Sequence, residues 1–211
     1  MLKPFLILYF VLFYGIAFFW RSYHTWRRTG INPYRLNNPK GIHGYLGKIY
    51  RLVSICVAIT ILIYVFADNL YRYLTPVQWL IHPSITIIGL TLLLTSFVWI
   101  LVSQSQMGQS WRIGIDEENK TKLVTHGIFA ISRNPIFLGI RLNLFGFFLV
   151  LPNAVTLTIW IVGEIVIIAQ VFLEEAYLQQ VHGDDYQRYQ ESMPRSWGFP
   201  KSQTRLDAQQ K

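Results

Sequence analysis

Long apolar stretches alternate with short polar segments along this chain of 211 residues. The apolar stretches cover residues 2–20, 49–67, 84–102, 135–151 and 154–173. Each comes close to the ~20 residues that a helix needs to cross the hydrocarbon core of a bilayer, although the fourth is short and must use flanking residues. Pro152 and Asn153 alone separate the last two stretches, which predicts a tight antiparallel helical hairpin. The pattern therefore predicts an all-α polytopic membrane protein with about five transmembrane helices.

Composition agrees with a lipid environment. Hydrophobic residues make up 52% of the chain and charged residues only 14%, which is too apolar for a surface that faces water on all sides. The net charge of +8 would suggest nucleic-acid binding in a soluble protein, but here the charges bracket the apolar stretches. We therefore expect membrane lipids and no nucleic acid among the partners. Cys56 is the only cysteine, so the sequence predicts neither a disulfide framework nor a cysteine-based metal site.

The distribution of basic residues predicts the orientation, because cytoplasmic loops retain Lys and Arg. Lys3 and Arg72 fall on one side of the predicted spans. The other side holds sixteen basic residues: Arg21, Arg27, Arg28, Arg35, Lys40, Lys48, Arg51, Arg112, Lys120, Lys122, Arg133, Arg188, Arg195, Lys201, Arg205 and Lys211. We expect this basic side to be cytoplasmic, with the N-terminus outside and the C-terminus inside. The first stretch has no small-x-small cleavage site, which favours a retained helix over a signal peptide.

Two ionisable residues, Arg141 and Glu164, fall inside the last two predicted spans. They lie eleven residues before and twelve residues after Pro152, so the helical rise places them about 16 and 18 Å from the hairpin tip. Charges at such depth are expensive unless they are paired or functional. They could form a salt bridge between the two helices, or they could line a polar substrate cavity; the two possibilities are compatible.

Small and polar residues form stripes on both helices of the hairpin. Gly139, Asn143 and Gly146 recur at helical spacing, which favours close approach of another helix. On the last span, one face runs through Gln170 to the boundary, where Glu174 and Glu175 stand together.

The hairpin is flanked by local signals for helix ends. Asn134 and Pro135 are typical of a helix start, as an N-cap and a first-turn residue. The same helix end could instead present its positive dipole to a ligand carboxylate, and both interpretations remain open. Gly183 predicts the end of an extension of the last span. From Asp184, the pattern predicts a short amphipathic helix lying on the membrane.

Several short motifs follow one another in the second half of the chain. They contain Leu123, Gly127 and Phe129; then Arg133, Asn134, Pro135, Phe137 and Gly139; then the Glu174–Glu175 pair; then Gly183, Tyr186, Tyr189 and residues 193–195. Their order and spacing, over residues 107–199, resemble the membrane-embedded isoprenylcysteine carboxyl methyltransferase and phospholipid methyltransferase family. The resemblance implies an S-adenosylmethionine-dependent enzyme acting on a lipophilic or small acceptor that carries a carboxylate, amine or thiol.

The resemblance also implies a site at the cytoplasmic mouth of the hairpin. The residues that it assigns to the cofactor are Thr121, Lys122, Leu123, Val124, Phe129, Asn134, Pro135, Ile136, Phe137, Glu174 and Glu175. Glu174 would also lie near the transferred methyl group, while Gln170 and Arg141 are candidates to position the acceptor. Gln170 stands at about the position where eukaryotic members have a substrate-contacting Arg. The sequence itself shows no cluster of metal ligands.

The implied division of the chain is an N-terminal membrane region at 1–106, a cofactor-binding region at 107–199 and a polar tail at 200–211. One alternative function is an NADPH-dependent membrane reductase of the sterol or steroid type, whose C-terminal helices resemble this family. Another is a non-enzymatic multipass protein. The sequence contains neither a G-x-G-x-x-G turn nor a strand–helix alternation, so it does not predict a soluble methyltransferase fold.

Overall fold

The computed structural model describes residues 2–33, 42–114 and 121–196, without the side chain of His43. The predicted polar tail at 200–211 and part of the first basic loop, residues 34–41, lie outside the described residues. The main helices are α1 Leu2–Thr29, α2 Ile42–Phe66, α3 Pro83–Met107, α4 Pro135–Val150, α5 Ala154–His182 and α6 Asp184–Ser192. Throughout these ranges the regular structure is helical, and Pro76 and Asn153 form an isolated β-bridge.

The all-α membrane architecture predicted from the apolar stretches is confirmed. Four helices, α1, α2, α3 and α5, are long and apolar enough to cross a membrane. Helix α4 has 16 residues and is therefore about 24 Å long, shorter than the ~30 Å hydrocarbon core. We call the end of the bundle that carries most basic residues the basic end. At the other end of the bundle, Lys3 in the first turn of α1 forms an ion pair with Asp68 at 2.7 Å.

Helices α1 and α2 continue beyond the apolar stretches that predicted them. Helix α1 runs nine residues past Trp20 as the polar segment Arg21–Thr29, and Gly15–Trp20 within it adopts π-helical geometry. Helix α2 begins at Ile42, before the predicted start at residue 49. Hydropathy marks the part of a helix that lies in lipid, whereas backbone hydrogen bonding continues into the interface.

The tip of the α4–α5 hairpin is tied down on both sides. Asn153 caps α5 by accepting hydrogen bonds from the backbone N–H groups of Val155 and Thr156, each at 3.0 Å. The N–H of Val77 donates to the carbonyl of Pro152 at 2.9 Å, and that of Ala154 donates to Thr75 at 3.2 Å. The loop between α2 and α3 therefore fixes the hairpin tip.

Glycines bring α3 and α4 into close contact, as the small-residue stripe predicts. A Cβ atom built on Gly89 would lie 2.9 Å from the carbonyl oxygen of Gly146 and 2.8 Å from Val150 Cγ2. The polar member of the stripe, Asn143, donates to the Tyr9 hydroxyl and, at 3.1 Å, to Ser96 Oγ. The stripe on α4 thus packs on α3 and links it to α1.

We expect Gly89→Ala to destabilise the protein by about 1–3 kcal/mol, because the new methyl group would press against backbone that cannot rotate away. Gly15→Ala is the matched control, since a Cβ at Gly15 meets nothing within 4 Å. Thermal unfolding of both variants in detergent measures the difference. Equal unfolding temperatures for the two variants would contradict the proposed close packing.

Candidate functional site

A cavity of about 450 Å³ runs from the basic end of the bundle into its interior. Its interior part is apolar and includes Leu6, Phe10, Phe13, Val53, Val57, Ile61 and Leu93, from α1, α2 and α3. Its polar part lies at the basic end, where the segment before α4, the start of α4 and the end of α5 meet. We call this polar part the mouth of the cavity.

The structure brings together nearly all residues that the family resemblance assigned to a cofactor. The cavity is lined by Thr121, Lys122, Leu123, Val124, Phe129, Asn134, Pro135, Ile136, Phe137 and Glu174. Gln170 also lines it, one helical turn before Glu174 on the same side of α5. Glu175 and Arg141 do not appear in the lining. The roles assigned to these residues stay predictions. Their positions divide them into a group that lines the cavity and two residues, Glu175 and Arg141, that lie outside the lining.

Two polar side chains of α5 that line the cavity carry oxygen atoms without a partner among the described residues. Within the described ranges, the half-buried Glu174 carboxylate has no hydrogen bond or ion pair. Gln170 is 2% exposed, and its Oε1 atom has no hydrogen-bond partner among the residues that the structure describes. Buried polar atoms normally have a hydrogen-bond partner, so unpartnered polar atoms along a cavity wall indicate groups that can bind a ligand.

Glu175, in contrast, is fully engaged by the protein. Its side chain is 4% exposed, and its carboxylate lies 3.2 Å from Arg133 and 2.9 Å from Arg195. Asn134 donates a further hydrogen bond to it at 2.8 Å. This buried cluster, which we call the Glu175 node, joins α5 to the start of α4 and to the segment after α6. Glu175 thus holds the cavity mouth in shape, although a cofactor contact was expected from it.

Of the two interpretations left open for Asn134, side-chain capping is not observed, whereas Pro135 does occupy the first turn of α4. Asn134 makes no side-chain cap hydrogen bond. Its amide nitrogen instead donates to Glu175 and, at 3.1 Å, to the carbonyl of Arg195. Tertiary contacts have overridden the local preference. The start of α4 has no side-chain cap and lies at the cavity mouth, where it presents the positive end of the helix dipole. This arrangement favours the anion-binding interpretation.

The salt bridge expected between Arg141 and Glu164 is confirmed, with Nε and Oε2 at 2.7 Å. Arg141 also donates to Ser196 Oγ at 3.3 Å, so it links α4, α5 and the C-terminal segment. Because neither ion-pair partner lines the cavity, the alternative of a polar cavity lining gains no support.

Helix α6 packs on the protein through its tyrosines, although the amphipathic pattern was expected to lie on the membrane. Tyr186 and Tyr189 are both buried, and the Tyr189 hydroxyl donates to the carbonyl of Phe129 at 2.6 Å. Burial raises the pKa of both tyrosines well above the usual range, so the hydroxyls stay protonated donors. The N–H of Arg133 donates to Pro194 at 3.0 Å. The C-terminal segment therefore braces the mouth.

Some residues of the mouth are absent from the set expected from the sequence. Tyr50 of α2 lines the cavity, and its buried hydroxyl has no hydrogen-bond partner among the described residues. Arg112, Arg133 and Tyr189 also line it. A tyrosine inside an apolar span near the basic end was the available signal for Tyr50, but the sequence alone does not show which helix α2 faces.

Comparison with known proteins agrees with this location. Residues 84–185 match the family model described as phospholipid methyltransferase. The match runs from α3 into α6 and so contains most of the mouth. It supports a membrane methyltransferase over the reductase and non-enzymatic alternatives. Neither the comparison with curated proteins nor that with solved structures gave a match.

Proposed function

We propose that this chain, whose residues 84–185 belong to the phospholipid methyltransferase family, moves a methyl group from S-adenosylmethionine to a lipophilic acceptor. The family supports a membrane methyltransferase, while the donor, the acceptor and the residues involved are our proposal. One observation carries it. The mouth that collects the residues expected to bind the cofactor is continuous with an apolar cavity inside the helix bundle.

The chemistry of the mouth fits the proposed cofactor. S-adenosylmethionine carries a carboxylate, ribose hydroxyls and a sulfonium cation, so it needs anion-binding, acceptor and apolar surfaces. The uncapped start of α4 suits the carboxylate. The Glu174 carboxylate suits hydroxyl or cationic groups, and Phe129 and Phe137 offer aromatic surface. When bound, the cofactor would supply a methyl carbon that is already activated for displacement.

The protein's contribution would be alignment and exclusion of water. Because the methyl carbon is activated, holding the nucleophile in line with it provides much of the acceleration. We infer that the acceptor enters from the bilayer, places its apolar part among α1 and α2, and presents its head near Glu174. The unpartnered Oε1 of Gln170 could then accept a hydrogen bond from that head. Arg141 would act only through its contacts with Glu164 and Ser196.

The predicted orientation gives the mouth access to the cytoplasm. The basic end contains the start of α4 and the end of α5, and basic residues favour the cytoplasmic side. We therefore propose that the cofactor arrives from the cytoplasm and the acceptor from the lipid.

The proposal predicts that purified protein binds S-adenosylmethionine in calorimetry with micromolar affinity and does not bind NADPH. Incubation of membranes with methyl-labelled cofactor should then give a labelled lipid-soluble product. Membranes from cells without the protein provide the control. Failure to bind S-adenosylmethionine at concentrations well above micromolar, in protein that unfolds cooperatively, would overturn the proposed donor. Binding of NADPH alone would favour the reductase.

A further inference from the structure

A second, smaller groove lies between α1 and α3 at the basic end, with a volume of about 250 Å³. Helix α1 contributes Ile16, Trp20, Arg21 and His24, and α3 contributes Leu101, Gln104 and Ser105. Of the described lining residues, only Gln104 is shared with the main cavity. The methyl-transfer proposal assigns no role to this groove.

The groove changes from apolar to polar along the bundle axis. Ile16 and Leu101 form its apolar part, whereas Arg21, His24 and Ser105 lie towards the basic end. Arg21 follows Leu2 by 19 residues, or about 28 Å of helix, which places it near the far boundary of a ~30 Å hydrocarbon core. A groove with this gradient at this depth matches the arrangement of a phospholipid, with its chain in the core and its headgroup at the interface.

The charge in the groove is positive, and no acidic partner for it lies in the described part of the chain. Within the described ranges, Arg21 forms no ion pair. Its terminal nitrogen donates to the carbonyl oxygens of Gln104 and, at 3.0 Å, Gly108. Its Nε atom is buried and has no hydrogen-bond partner in the described part of the chain. A half-buried guanidinium with a donor to spare is suited to a phosphate oxygen.

Gln104, which lines the same groove, carries an acceptor that is unpartnered among the described residues. Gln104 is 2% exposed, and its amide nitrogen donates to the carbonyl of Ala17, within the π-helical turn, at 2.9 Å. The Oε1 atom of Gln104 has no hydrogen-bond partner within residues 2–33, 42–114 and 121–196. A headgroup that carries hydroxyl groups next to its phosphate would satisfy both unpartnered atoms.

We propose that this groove binds one anionic phospholipid with a hydroxylated headgroup, of the phosphatidylglycerol type. The phosphate lies at Arg21 and His24, a headgroup hydroxyl donates to Gln104, and one acyl chain follows Ile16 and Leu101. The bound lipid would join α1 to α3 at the end of the bundle where the main cavity opens.

Native mass spectrometry of the full chain, titrated with phosphatidylglycerol or with phosphatidylcholine of the same acyl chains, tests the proposal. We expect one phosphatidylglycerol to bind in preference to phosphatidylcholine. Ser105→Trp fills the groove from an exposed position of α3 and leaves the contacts of Arg21 intact, so it should weaken this binding about tenfold. Arg21→Gln should weaken it by a similar factor.

Arg27→Gln is the matched control, because Arg27 is an exposed basic residue stacked on Tyr23 and lies outside the groove. It should leave the affinity unchanged. Equal weakening by Arg27→Gln and Ser105→Trp would overturn the site in favour of general surface charge. Equal binding of the two lipids, or displacement of phosphatidylglycerol by comparable concentrations of soluble glycerol phosphate, would also overturn it. An unfolding temperature for Ser105→Trp equal to that of the original protein would show that weakened binding is not a folding defect.

Discussion

Glu174→Gln is expected to reduce methyl transfer by about a hundredfold while leaving the unfolding temperature of the ligand-free protein unchanged. The carboxylate lines the cavity and has no hydrogen bond or ion pair among the described residues. Its removal therefore breaks nothing in the empty protein. In the complex, the loss of a charge-assisted hydrogen bond at the mouth should weaken cofactor binding and misalign the methyl group. Calorimetry and labelled-product formation measure the two effects.

Glu191→Gln provides the matched control for this experiment. Glu191 is an exposed carboxylate of α6 whose described hydrogen bond is with Gln187 of the same helix, so it has no contact with the cavity. It should retain full activity. If Glu174→Gln also retained full activity and affinity, the acid at the mouth would have no part in the reaction.

Glu175→Gln is expected to lower the free energy of unfolding by about 3 kcal/mol, the largest stability effect that we predict. The substitution keeps the size of the side chain but leaves Arg133, which is 9% exposed, without its counter-charge. Breaking a buried ion pair by removing one partner is costly because the remaining charge has lost its solvent and its partner. Thermal unfolding of the ligand-free protein measures the effect.

Asp185→Asn is the comparison for this second variant. Asp185 and Arg188 form an ion pair at 2.5 Å in which both side chains are more than 70% exposed, so its loss should be nearly neutral. A Glu175→Gln variant as stable as Asp185→Asn would show that the Glu175 node does not hold the mouth together. The two adjacent acids would thus be distinguished, because loss of Glu174 would lower activity whereas loss of Glu175 would lower stability.

Much of the fold could be predicted from the sequence, because the bilayer forces apolar stretches into helices of nearly fixed length. The hairpin at Pro152, the end of α5 before Gly183 and the short helix from Asp184 all follow from local signals. The Arg141–Glu164 pair could be predicted as well, since a cation and an anion at equal depth on two antiparallel membrane helices have few other partners.

The candidate site was predictable only in part. The residues around the start of α4 belong to one continuous segment, so the family resemblance placed them together with Glu174. The contributions of α1 and α2 to the cavity depend on how distant helices pack, which no local pattern encodes. The same limit applies to the Glu175 node. Glu174 and Glu175 are neighbours in sequence, but successive residues of a helix point about 100° apart, so one faces the cavity and the other faces the arginines.

The short helix α4 has a further consequence for how the protein is made. Alone, α4 would present to the membrane about 24 Å of helix containing an uncompensated arginine, which is a poor candidate for insertion. Its counter-charge, Glu164, arrives only with the first turns of α5. We therefore expect the translocon to release α4 and α5 into lipid together, as a hairpin. Because α4 is synthesised first, its insertion depends on the synthesis of α5.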